Sequence, residues 1–206
     1  MFQGCTNIIS IDFSNIDINC NKMNFMFEGC SKLEEINFKN VQTSNVEDMS
    51  SMFSGCINLK FINLLGFETS KVISMESMFK DCQSLKSIDL SNFKTPKLIN
   101  MKSMFENCNQ LKYVDMENFS TENCQNYEDI FKQCENLDEI NLLNYKGKDI
   151  FESISKHRNL RICINNFYQM VKSYNNLNKN IVQNTCKKTN EQKRILNENK
   201  FSEIKE

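Results

Sequence analysis

Apolar residues recur along this chain in two alternating rhythms. In the first, two apolar residues flank a single polar one: Ile11/Phe13, Ile36/Phe38, Ile62/Leu64, Ile88/Leu90, Val114/Met116 and Ile140/Leu142. Such alternation turns both apolar side chains to one face of a strand and the residue between them (Asp12, Asn37, Asn63, Asp89, Asp115 or Asn141) to the other. In the second rhythm apolar residues stand three to four apart, as in Val46, Met49, Met52 and Phe53, repeated by Val72, Met75, Met78 and Phe79 and by Leu98, Met101, Met104 and Phe105. That spacing predicts about two helical turns with one apolar face. Thr43-Ser44, Thr69-Ser70 and Thr95 stand where a helix N-cap belongs, and Pro96 falls near a helix start, where a missing N–H does no harm.

The two rhythms alternate at a fixed period. A Met-Phe or Ile-Phe pair followed by Cys recurs at Met1-Phe2/Cys5, Met26-Phe27/Cys30, Met52-Phe53/Cys56, Met78-Phe79/Cys82, Met104-Phe105/Cys108 and Ile130-Phe131/Cys134, with one step of 25 residues and four of 26. A two-turn helix with one apolar face cannot stand alone, whereas stacked units pair their strands into a parallel sheet and merge their apolar faces into one core. The fold class predicted is therefore an α/β solenoid, with parallel strands on the concave face, short helices on the convex face and about six coils. With adjacent strands ~4.8 Å apart, six coils make a sheet roughly 30 Å long. Asn15, Asn40, Asn92, Asn118 and Asn144, with Gly66 in the remaining copy, follow each strand. Buried at the turn, these asparagines would form a ladder that satisfies stranded backbone groups. Asn118-Phe119-Ser120 is also a glycosylation sequon, which burial in that ladder disfavours.

The run Met52-Phe53-Ser54-Gly55-Cys56, Leu59, Ile62, Leu64, Phe67, Thr69-Ser70, Val72, Met75, Met78-Phe79 resembles the BspA-type leucine-rich repeat. The resemblance covers about residues 1–145. It departs from the general leucine-rich-repeat pattern in that the Asn comes one residue early and a Phe follows it, as in Asn92-Phe93. It implies an extracellular or cell-surface solenoid of a kind linked to adhesion and host-protein binding. No catalytic residues come with the family.

Composition narrows the partners. The chain of 206 residues carries a net charge of −1, unevenly spread. Residues 1–145 hold 12 basic and 20 acidic side chains, and residues 146–206 hold 13 basic and 6 acidic ones. An acidic repeat region argues against nucleic-acid binding there, because phosphate contacts need a basic face. No run approaches the length of a membrane span, and Met1-Phe2-Gln3-Gly4-Cys5 does not open a signal peptide. Met1 belongs to a Met-Phe-x-x-Cys unit, so the stack begins in mid-coil without a cap, and the chain reads as the C-terminal part of a longer protein.

Residues 1–145 are read as the solenoid, 146–186 as a capping segment and 187–206 as a charged tail, a frayed helix or disordered. In the cap, Ile150-Phe151 looks like a worn seventh Met-Phe, and Leu160, Ile162 and Ile164 predict a last strand. Phe167, Met170, Val171, Tyr174 and Leu177 predict a helix packed on the end coil. The six repeated cysteines, with Cys20 and Cys124 at a position shared with Val46, Val72 and Leu98, read as free and apolar. There is no Cys-x-x-Cys and only one histidine, His157, so no metal or other cofactor is expected. His157, between Lys156 and Arg158, reads as exposed. Cys163 and Cys186 lie outside the repeat, 23 residues apart, and are the candidate disulfide, conditional on an oxidising compartment.

Outward strand positions form two columns on the concave face. One reads Ser10, Glu35, Phe61, Ser87, Tyr113, Glu139 and the other Ile9, Glu34, Lys60, Lys86, Lys112, Asp138. The middle coils thus bring together Lys60, Phe61, Lys86, Ser87, Lys112 and Tyr113, two aromatics flanked by three lysines, as a candidate site for a protein or other macromolecule of acidic character. An ordinary mixed surface accounts for the same columns. Two functions stay open at this point, a surface-binding or adhesion module and an intracellular scaffold. An enzyme is not expected, since no phosphate loop, nucleophile–base set or metal cluster is visible.

Overall fold

A computed structural model describes residues 1–16, 18–147, 150–154, 157, 160–164 and 182–183. The chain winds as a parallel solenoid, with one three-residue strand per coil: β1 (Ser10–Asp12), β2 (Glu35–Asn37), β3 (Phe61–Asn63), β4 (Ser87–Asp89), β5 (Tyr113–Asp115) and β6 (Glu139–Asn141). The strands pair in the register of the repeat, Ile11 beside Ile36, Ile36 beside Ile62, Ile88 beside Val114 and Val114 beside Ile140. After β6 come a short helix α1 (Ile150–Ile154), then β7 (Arg161–Cys163) and β8 (Val182–Gln183), both parallel additions to the same sheet. The sheet is interrupted once, between β3 and β4, although these strands remain neighbours.

The convex side corrects the predicted helices. No helix forms between Val46 and Phe131; the Met-Phe stretch of each coil is a wall of linked tight turns. In coil three, Met52, Ser54 and Cys56 donate their N–H groups to the carbonyls of Met49, Ser51 and Phe53, three residues back. The residues between them donate outward, to the next coil: Met49 to Ser74, Ser51 to Glu76, Phe53 to Met78 and Gly55 to Lys80, at 2.8–3.0 Å. A helix would keep all these bonds within the segment. Left-handed backbone every fourth residue prevents it, at Ser51 (φ 53°) and Gly55 (φ 74°), then Ser77 and Asp81, then Ser103 and Asn107. A row of isolated parallel bridges, Lys22–Asp48–Ser74–Asn100–Asn126, runs along this wall.

The predicted N-caps have a different role. Thr69 is buried; its hydroxyl accepts from the N–H of Lys94 at 3.0 Å and donates to the carbonyl of the same residue at 3.0 Å. Thr43 binds Glu68 in the same way, and Thr95 binds Ser120. Each threonine is a staple between coils at a place where the backbones do not pair directly. The Asn ladder also differs from expectation. Asn40 and Asn144 are exposed and Asn92 and Asn118 half-buried, yet they do reach back one coil. Asn40 donates to Asn15, Asn92 to the carbonyls of Leu64, Leu65 and Phe67, and Asn118 to that of Ser91. Asn15 and Asn40 stand at positive φ, which asparagine tolerates better than most residues.

The core is a set of columns. Phe27, Phe53, Phe79, Phe105 and Phe131 stack with ring centroids 5.4–5.5 Å apart and nearly parallel planes, and Phe67, Phe93 and Phe119 make a second stack. Beside the first stack lie Cys30, Cys56, Cys82, Cys108 and Cys134, buried and free. Each thiol donates to the carbonyl of the Phe in the preceding coil, at 2.9–3.2 Å. Cys20 and Cys124 are also free but only half-buried.

At the C-terminal end, Leu160, Ile162 and Ile164 are buried around β7, as the alternation predicts. Ile150-Phe151 opens α1 instead of forming a seventh wall. Cys163 is disulfide-bonded. Cys186, the stripe from Phe167 to Leu177 and the tail from 187 lie outside the described residues.

Candidate functional site: the concave face of the strands

Each strand has the pattern outward–inward–outward. The inward residue belongs to the core, so the concave face is built from the first and third positions of each strand. At the third position stand Asp12, Asn37, Asn63, Asp89, Asp115 and Asn141. In every copy the side-chain Oδ1 accepts from the backbone N–H two residues on: Ser14, Lys39, Leu65, Ser91, Glu117 or Leu143, at 2.7–3.2 Å. This column closes the turn that ends each strand. The hydrogen bonds from Ser14 and Asn37 hold the Asp12 carboxyl below its ordinary range.

At the first position the register aligns Ser10, Glu35 and Phe61 in one sheet and Ser87, Tyr113 and Glu139 in the other, as the repeat predicts. Lys60, Lys86 and Lys112 stand one residue earlier, all exposed. Lys60 pairs with Glu34 at 2.7 Å across two exposed side chains, a contact worth little. Lys86 and Lys112 form no ion pair among the described residues.

Exposure divides the six candidate residues. Phe61 is half-buried, but Ser87 and Tyr113 are only 2% and 4% exposed. The expectation of two exposed aromatics is therefore corrected to one. Tyr113 donates its hydroxyl to Asp115 Oδ2 at 3.0 Å, and Asn141 Nδ2 donates to Asp115 Oδ1 at 3.0 Å. Burial, and then the adjacent Asp115 carboxylate, push the Tyr113 phenol above its ordinary range, so the ring and its hydroxyl are part of a satisfied interior network. Alternation identifies the face a side chain takes but not whether that face is covered, which is why the sequence alone missed this cluster. It also missed Arg161, which extends the first column and pairs with buried Glu139 at 2.9 Å.

The open part of the face therefore spans Ile9, Ser10, Glu35, Lys60, Phe61, Lys86 and Lys112. Among the described residues no cluster of His, Cys, Asp and Glu has the arrangement of a metal site, and no helix is long and apolar enough to cross a membrane.

Residues 21–145 match the family described as "Mycoplasma protein of unknown function, DUF285". The chain belongs to that family. The matched stretch starts in the second coil and runs through β6, so this DUF285 match covers most of the stacked repeat. A solved structure, the crystal structure of the T. pallidum leucine-rich repeat protein, is similar with a TM-score of 0.43 and 18% identity over 65% of this chain. The likeness spans 58% of that protein's chain. Comparison with curated proteins gives no match.

Proposed function

We propose that this DUF285 chain is a non-catalytic binding module that holds another macromolecule on the open strip of its concave face. The observation that carries the reading is the half-buried Phe61 ring with exposed Lys86 and Lys112, which form no ion pair among the described residues, on the two coils that follow it, on a sheet whose main chain is fixed by coil-to-coil pairing. A rigid aromatic anchor with cationic flanks suits a partner with an acidic surface. The likeness to BspA-type repeats supports a role in adhesion at a cell surface, and the disulfide at Cys163 agrees with an oxidising compartment. We infer that its partner cysteine is Cys186. Closing that loop contributes about 3 kcal/mol on the chain-entropy model.

The test is a comparison of Phe61→Ala/Lys86→Ala with the wild type against the macromolecule recovered with it from its source. The expected result is at least tenfold weaker binding with an unchanged melting temperature. Equal affinity of the two proteins would exclude the strip as the site.

A further inference from the structure

The outward residues of the concave face change character between coil three and coil four. In coils one to three, Ser10, Asp12 and Glu35 are exposed and Asn37, Phe61 and Asn63 half-buried. In coils four to six, Ser87, Tyr113, Asp115, Glu139 and Asn141 are buried and Asp89 half-buried. The two sets hold equivalent places in the repeat, so the strand pattern does not cause the difference. Nor do the later strands: β7 and β8 lengthen the sheet at its edge, and a strand added at an edge covers no face. Three carboxylates stand in this covered area, Asp89, Asp115 and Glu139, and the ion pair that the described residues supply there is Arg161–Glu139 at 2.9 Å. Carboxylates withdrawn from water are costly without cations or donors, so a basic cover fits the area best.

The end of the chain begins beside it. In register, Arg161 stands beside Glu139, Ile162 beside Ile140 and Cys163 beside Asn141, which turns Cys163 outward onto the concave face. Its Sγ lies 3.5 Å from Glu139 Oε1 there, and Cys163 is disulfide-bonded. With Cys186 as the partner, as inferred above, the chain leaves the bridge on the concave face, at the margin of the covered area. The next eight residues, 187–194, carry Lys187, Lys188, Lys193 and Arg194 against one acid, Glu191. Fully extended they reach about 27 Å, and the three strand spacings from β7 to β4 need only ~14 Å.

We propose that residues 187–194 dock across β6, β5 and β4, with their cations over the carboxylates of Asp89, Asp115 and Glu139. The concave face is then shared. Coils four to six are occupied by the chain's own basic segment, and the strip around Phe61 is left to an outside partner. The docking rests on the Cys163–Cys186 bridge but not on the identity of that partner.

Maleimide labelling of the full chain, read by peptide mapping, tests it without any ligand. Ser10→Cys and Ser87→Cys place a thiol in the same column, on the open and on the covered part of the face. Ser10→Cys should react at least tenfold faster. Changing Lys187, Lys188, Lys193 and Arg194 to Glu should raise the rate at Ser87→Cys at least tenfold and leave that at Ser10→Cys unchanged, with the melting temperature of the solenoid preserved. Equal rates at the two positions in the otherwise native chain would overturn the docking. Slow labelling at Ser87→Cys that survives the four charge changes would overturn it as well, and would assign the cover to another part of the chain. Disulfide mapping of the same samples separates the two readings: a bridge from Cys163 to any cysteine other than Cys186 would refute the tether on which the docking rests.

Discussion

At the scale of single residues, position in a column decides what a side chain is worth. Phe79 is fully buried between Phe53 and Phe105. Its replacement by Ala opens a cavity that two rigid neighbours cannot fill, so Phe79→Ala should cost about 3–5 kcal/mol in urea denaturation. Phe61→Ala, on the open face, should cost about 0.5 kcal/mol or less. The cysteines divide in the same way. Burial pushes the thiols of Cys56, Cys82 and Cys108 upward, and each donates to a Phe carbonyl. Native-state alkylation followed by peptide mapping should therefore label half-buried Cys20 and Cys124 well before these three. The Met-Phe-x-x-Cys recurrence made the inward residues legible in the sequence, because a position that repeats as Phe or Cys in every coil must meet the same environment each time. Tyr113 was not legible. Its column and direction follow from period two, but its burial against Asp115 depends on long-range packing that no local pattern encodes.

At the scale of the element, the strand and the convex wall differ in how far the sequence revealed them. Ile36 and Phe38, or Ile88 and Leu90, can share an inward face only in a strand. Met49, Met52 and Phe53 share a face in a helix, but they also do so in linked turns of three-residue spacing, and periodicity cannot separate the two. The distinguishing sign is Gly29 and Gly55, glycines at a position where the backbone is left-handed. Asp81, Asn107 and Gln133 take over that position in later copies and obscure the signal. Gly55→Ala separates the alternatives. In a helix the change would stabilise by about 1 kcal/mol. In the turn-linked wall, at φ 74°, it should destabilise by about 1 kcal/mol, measured by thermal or urea unfolding. The threonine staples give a second test. Thr69→Val keeps the shape but strands the Lys94 N–H and carbonyl, so it should cost about 1–3 kcal/mol, whereas exposed Ser70→Ala should cost almost nothing.

At the scale of the whole molecule, stacking makes each coil depend on its neighbours, and pH acts at the C-terminal end of the described stack. His157 was expected to be exposed, but it is half-buried beside the end of the wall, and desolvation lowers its pKa below the ordinary value of 6.5. The unfolded chain therefore binds a proton that the folded chain resists. Stability should be intact above about pH 6.5 and fall as the pH drops from there toward the lower folded value. His157→Gln should flatten that part of the profile, read by urea midpoints between pH 5 and pH 8. The stack also fixes the spacing of the concave columns, so the reading of the protein as a binding module rests on where a partner touches it. The most direct measurement is photo-crosslinking in the native source from a benzophenone amino acid placed at position 61, with position 102 on the convex wall as the control. The account predicts one defined adduct from position 61, lost when Lys86 and Lys112 are changed to Glu, and none from position 102. Equal crosslinking from both positions, or none from position 61, would contradict it.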